Sequence, residues 1–301
     1  MEWLFVGVIV AAALLKVFDD RIPRAVYRGL LALGLLLPLA ATAFAIWMLW
    51  DRAVGWTEVG LLVGMYLATG LGTTLGYHRL VTHRSFEAGP VVKGVFLALG
   101  AMAVQGKAIN WAAWHLKHHA ASDREGDPHS PLEGFFHAHV GWILKPTPAE
   151  RERYCKRLLR DPVVTFVDRT SMLWVLLGLA LPFAIAGWAG LLWGGLVRIA
   201  VGNHLTFAIN SVCHVFGKQP FETGDESRNN WLMGTIGLGE GWHNNHHAFP
   251  SMAYHGMSFR QPDLTGAVIR LLERIGLAWN VKVPPPAAVE RRRRTNATSV
   301  A

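Results

Sequence analysis

From Ser171 to Gly217 the chain carries a single charged residue, Arg198. An apolar stretch of that length is too long for one strand or one core helix. A helix rises 1.5 Å per residue, so about 20 residues cross a hydrocarbon core. Ser171–Val197 and Ile199–Gly217 therefore read as two membrane crossings, with a turn near Gly187, Gly190 or Gly194. Arg198 is costly there unless it meets a partner or snorkels from a helix end, and snorkelling is the expectation. Earlier in the chain, Gly29–Trp50 is also free of charge, although Pro38 can kink it. After Asp51 and Arg52, Ala53–Gly76 follows with Glu58 as its one charge. These two runs pair as a first hairpin. The composition agrees, since 17% of the residues are charged against about 25% in a soluble domain.

The expected architecture is an all-α membrane protein of four spans in two hairpins, with a cytoplasmic helical cap. Its parts are an N-terminal apolar segment and basic loop (1–28), a first hairpin (29–76), a polar region (77–170), a second hairpin (171–217), a second polar region (218–283) and a basic, disordered tail (284–301). Trp3–Leu15 is short for a span and is either a fifth crossing or an interfacial helix. It has no basic flank before it and no small-residue cleavage site, so it reads as retained. Val91–Val104 contains Lys93 and should lie against the membrane or beneath the site. Arginine and lysine concentrate in the two polar regions and at Arg21, Arg24 and Arg28, which puts that face in the cytoplasm of an inner or plasma membrane. The net charge of +8, beside apolar spans, points to an anionic lipid surface and not to nucleic acid. Cys155 and Cys213 form no CxxC pair and imply no disulfide framework.

The histidines carry the chemistry. His78 and His83 stand in GYHRLVTHRSF, His115, His118 and His119 in WHLKHH, and His243, His246 and His247 in GWHNNHH. Residues three and four apart share a helix face, so each HxxHH projects its imidazoles into one small volume. Asn210 and His214 should likewise share a face near the end of an apolar span. His78 and His83 are five apart and would diverge on a regular α-helix, so a helix irregularity is needed to bring them together. Each group stands where apolar chain gives way to polar chain, and all can meet at one depth just outside the bilayer. Nine imidazoles exceed the needs of one metal; two first-row metals with four or five ligands each would use them. Neutral imidazole suits iron, zinc, copper or nickel alike. The isolated His137, His139, His204 and His255 read as ordinary satisfied polar side chains. Asp123, Asp127, Asp225 and Glu240 are candidates to accept hydrogen bonds from ligand imidazoles.

The boxes HRLVTH, HLKHH and HNNHH, with SDREGDPHSP, GFFHAHVGWIL, NSVCH and GEGWHNNHHAFP around them, resemble those of membrane fatty acid desaturases of the stearoyl-CoA (Δ9) type. The resemblance is close from Gly76 to Pro250. It implies that His78, His83, His115, His118, His119, His214, His243, His246 and His247 hold two iron ions, and that Asn210 holds a metal-bound water. It implies dioxygen and two electrons from a separate ferredoxin, rubredoxin or cytochrome b5-like donor, and a long-chain acyl-CoA that gains a cis double bond. How the nine histidines divide between the metals stays open at this stage. The pattern departs at Trp114, where acyl-CoA members commonly have Asp, and at Leu116, where Arg is usual. These changes leave the metal pattern intact and fall on the carrier-binding surface. Arg79, Lys107, Trp111, Trp114, Lys117 and Arg124 are the candidates for substrate contact. Rival readings are a desaturase of lipid-linked acyl chains, a hydroxylase or ketolase on the same scaffold, and a membrane metal or haem-binding protein.

Overall fold

The computed structural model describes residues 40, 41, 43, 44, 47–49, 54–145 and 147–293. The N-terminal segment, the basic loop at Arg21–Arg28 and nearly all of the Gly29–Trp50 run lie outside the described residues. What is described is mainly helical, with one two-stranded ribbon. The chain divides into two compact units. Of the described residues, the first takes in those up to Thr73, 94–113 and 143–204; the second takes in 74–93, 114–142 and those from Leu205 to Arg293.

Two helical segments are long and apolar enough to cross a membrane, Trp56–Thr82 and Ser171–His214. The first begins as an α-helix, Trp56–Leu71, and continues as a π-helix, Gly72–Thr82. It therefore runs six residues past the expected boundary at Gly76. At Gly72 a Cβ would fall 2.1 Å from the backbone nitrogen of Gly100. The glycine permits a close approach to the Pro90–Met102 helix. With 13 residues, about 20 Å, that helix is too short to span a bilayer, as expected for Val91–Val104.

The second segment folds back on itself. Ala186 and Gly187 leave the helical region, and Gly187 has φ 56°, a conformation glycine adopts without steric cost. Beyond this break a Cβ on Gly190 would meet the carbonyl of Pro182, and one on Gly194 would meet the Pro182 side chain. The returning arm thus packs antiparallel on the outgoing one, with the turn at Gly187, the first of the three candidate glycines. Leu173, Leu177, Leu181 and Ile185 remain exposed along the outgoing arm, which suits a lipid-facing helix.

Arg198 does not snorkel. It is 1% exposed, and its guanidinium donates to the carbonyls of Gly194 at 3.1 Å, Met102 at 2.5 Å and Gly178 at 3.1 Å. Three backbone acceptors replace the water that snorkelling would have reached. In the same unit, Asp168 accepts from the backbone N–H groups of Ala108 at 2.8 Å and Ile109 at 3.2 Å. These are orphan donors at the start of the Ala108–Ala121 helix, which carries WHLKHH. Burial pushes the Asp168 carboxyl up to about 6, against the pull of those two N–H groups.

In the second unit, Glu87–Ala88 pairs antiparallel with Ala278–Trp279. Of the tail expected to be disordered, the described part, residues 284–293, is ordered. Pro286–Arg292 is helical, Arg292 donates to the Ala248 carbonyl, and Phe221 forms a bridge with Arg293. Backbone pairing holds a segment that lacks apolar periodicity of its own.

Candidate metal centre

All nine histidines of the boxes and of NSVCH lie in the second unit. They form two groups in which one ring nitrogen of each residue lies within 4.8 Å of every other: His78, His83, His115, His119 and His246, and His118, His214, His243 and His247. Local helix geometry accounts for this division. In the π-helix His83 N–H donates to the His78 carbonyl at 3.0 Å, an i→i+5 bond that brings residues five apart onto one face. Their rings lie 4.8 Å apart. WHLKHH lies on a regular α-helix; the i,i+4 pair His115 and His119 joins the five-membered group, and His118 turns to the other. HNNHH does the reverse, with His243 and His247 in the four-membered group and His246 in the five-membered one. The two groups adjoin, since His119 stacks on His247 with centroids 4.5 Å apart.

His214 departs from expectation in one respect. The Arg198–Ser211 helix tightens into a 3-10 turn, Val212–His214, so Asn210 and His214 do not share a continuous α-helical face. Asn210 stands half-buried in the last turn of that helix.

The four candidate carboxylates each meet a different imidazole. His78 Nδ1–H donates to Glu240 at 2.5 Å and His118 Nδ1–H to Asp127 at 2.9 Å. His214 donates to Asp123 at 2.9 Å and His247 to Asp225 at 2.7 Å. A proton on Nδ1 leaves Nε2 as a bare lone pair, the form that ligates metal. These lone pairs converge. His243 Nε2 lies 3.0 Å from His214 Nε2 and 3.1 Å from His247 Nε2. His118 Nε2 is buried with no hydrogen-bond partner. In the other group, His115 Nε2 lies 2.9 Å from His78, 2.7 Å from His83 and 3.0 Å from His119. Too few protons are available to make all of these contacts hydrogen bonds, and bound cations would satisfy them. The residues fit two metal ions.

Electrostatics favour the ligating state. Burial, then neighbouring imidazoles, pull His83, His115, His118, His119, His243 and His246 well below the ordinary histidine range. The neutral form therefore dominates near neutral pH. Burial alone would raise Asp225, but hydrogen bonds from His247, Ser227 and Thr223 outweigh it and hold the carboxyl well below the usual range. Glu240 behaves alike, with His78, His255 and Arg79 outweighing its burial.

Arg79 is not available to a substrate phosphate. It is 0% exposed, bonds Glu240 at 3.2 and 2.9 Å and Asp263 at 2.9 and 3.0 Å, and donates to the Ala253 carbonyl at 2.8 Å. It holds Glu240 against His78 from within. The other substrate candidates are distributed. Lys107 and Trp111 fall in the first unit; Trp114, Lys117 and Arg124 fall in the second. Arg124 is exposed, Lys117 half-buried, and Trp114 packs edge-on to Trp142 at 5.9 Å.

Some structural roles had no sequence signal. Asp263 receives Arg79, accepts from the backbone N–H of His255 and caps the Leu264–Arg274 helix through Gly266 N–H. Asn244 and Asn245, the spacers of HNNHH, pin that helix to Phe221, Asn229 and the His255 carbonyl. An asparagine pair between histidines signals a burying environment only once every helix face is seen to be covered. His255 is not the satisfied polar residue expected. It is buried against His246 with centroids 4.6 Å apart, and neither ring nitrogen has a hydrogen-bond partner.

The described residues thus combine two helical segments long and apolar enough to cross a membrane with histidine clusters able to bind metal. The chain belongs to the fatty acid desaturase family, whose model it matches over residues 54–270. It is 37% identical to the hex-5-enoyl-[acyl-carrier protein] acetylenase of Moorena producens, over 85% of this chain and 87% of that protein. It is 40% identical to the sn-1 stearoyl-lipid 9-desaturase of Anabaena variabilis, over 76% of this chain and 85% of the relative. It is 42% identical to the acyl-CoA 5-desaturase of Anemone leveillei, over 76% and 73%. The family supports an oxidoreductase of lipid metabolism. The names of these relatives carry three different acyl carriers, so the likeness to the stearoyl-CoA type stands at the level of the family.

Proposed function

We propose that the chain is an oxygen-dependent di-iron desaturase that introduces a cis double bond, at Δ9, into a saturated long-chain fatty acyl-CoA. The observation that carries this reading is the convergence of Nε2 atoms in two adjoining groups of five and four imidazoles. Bound iron, reduced by a separate ferredoxin, rubredoxin or cytochrome b5-like donor, would supply the oxygen activation that cleaving an unactivated methylene C–H bond requires. The nine histidines would hold it. Asp123, Asp127, Asp225 and Glu240 fix the Nδ1–H tautomers and aim the Nε2 atoms inward.

Asn210 is proposed to hold a water beside the metal centre. Asn210→Ala should keep most of the metal and lose most of the turnover, read by metal analysis alongside product yield. Wild-type turnover would remove Asn210 from the site. The four-span topology, with the site facing the cytoplasm, rests on the basic balance of the polar regions. A cysteine introduced at the exposed Glu133 should be labelled from the cytoplasmic side, and external labelling contradicts the topology.

The carrier is read as CoA because Lys117 and Arg124, both in the second unit, offer cations for its phosphates. A lipid-linked chain is the second reading, favoured by the burial of Arg79 and by Trp114. The test supplies purified, reduced enzyme with stearoyl-CoA, stearoyl phospholipid or stearoyl-acyl-carrier protein in separate assays. Turnover on the CoA thioester, weakened by salt because screening acts on exposed charge, is expected. Turnover only on another carrier overturns the CoA assignment. No turnover on any carrier by protein holding two irons overturns desaturation.

A further inference from the structure

We propose that the two metal positions are unequal by construction, and that the four-histidine group is the tighter of the two. This rests on reading the site as a two-iron centre. Three of the four imidazoles in that group, His118, His214 and His247, donate Nδ1–H to separate aspartates. Each aspartate is itself fixed. Asp127 accepts from the backbone N–H groups of Asp123 and His129, and Asp123 from that of Glu226. Asp225 accepts from the Ser227 and Thr223 hydroxyls and from Ser227 N–H. These donors are neutral, and among the described residues no lysine or arginine pairs with any of the three. Their full negative charge therefore faces the imidazoles.

The five-histidine group is built differently. Glu240 stands behind His78, but its charge is shared with Arg79, which bonds it through two nitrogens. Among the described residues, His83, His119 and His246 have no carboxylate partner, and His246 Nδ1 is buried without one of any kind. A carboxylate behind a ligating imidazole raises its basicity, and losing one such partner costs about 10–100-fold in metal affinity. Three unshared carboxylates therefore outweigh the additional imidazole of the other group. They also place more negative charge around the ion, which stabilises its oxidised form.

The test is graded chelation of the purified, iron-57-loaded protein, followed by iron analysis and Mössbauer spectroscopy. Wild type should release iron in two phases, one ion each, with a separate spectral component lost in each phase. Asp225→Asn and Asp127→Asn should each speed the slow phase about 10–100-fold and leave the fast phase alone. Glu240→Gln should affect only the fast phase. The wild-type release curve needs no variant, so poor folding of a variant does not spare the proposal. Single-phase release from an active two-iron enzyme overturns it, as does a slow phase that responds to Glu240→Gln and not to the aspartate variants. Protein that never holds two metals, with no product from any carrier, sinks instead the reading of the site on which it rests.

Discussion

His118→Ala should abolish product. His118 belongs to the four-histidine group, is buried, and presents an Nε2 atom with no hydrogen-bond partner toward the other three imidazoles. Removing even a partner behind a metal ligand costs about 10–100-fold, so removing the ligand should cost at least about 100-fold. The measurement is product yield beside metal content. Iron should fall toward one per chain while the folded protein remains. His246→Ala should act on the five-histidine group in the same way. Full activity from either variant would show that these histidines are not ligands.

Arg79→Met should be the most damaging change outside the histidines. The guanidinium lies between Glu240 and Asp263, each buried and bonded to it twice. Removing one partner of a buried ion pair costs about 3–5 kcal/mol, because the charges left behind lose both water and partner. Glu240 would lose the bonds that position it behind His78, which outweighs the gain of an unshared charge, so loss of metal should accompany loss of stability, read by thermal unfolding in detergent and by iron content. Arg79→Lys keeps the charge without the planar fork and should fall between. A variant of normal stability whose only defect is a raised KM for acyl-CoA would return Arg79 to the carrier surface.

Both predictions depend on features that differ in how far they could be read ahead of the fold. The HxxHH boxes were legible because three- and four-residue spacings have one meaning on an α-helix. HxxxxH was half legible: the spacing demanded an irregular helix, and only the backbone identified it as the π-helix Gly72–Thr82. How the histidines divide was not legible, because it depends on which face of each box turns toward which neighbour. The length of the apolar run narrowed its turn to Gly187, Gly190 or Gly194, and only the backbone picked out Gly187. The burial of Arg198 was not legible, because its acceptors are carbonyls, which no residue type announces. Arg79 misled for a related reason. It stands beside His78 of the first box and reads as a surface cation, while its second partner, Asp263, lies 184 residues away. The aspartates behind His118, His214 and His247 were visible as acids near the boxes, but each histidine they serve is a matter of tertiary contact.

The most direct test is the fatty-acid profile of cells expressing the chain with ample iron, with double-bond position and geometry determined. Wild type should add cis-9 monounsaturated acyl chains that are missing from cells expressing His118→Ala at the same level. An unchanged profile from a well-expressed wild-type protein, or a hydroxylated or ketonic product in place of an alkene, would contradict desaturation at the nine-histidine centre.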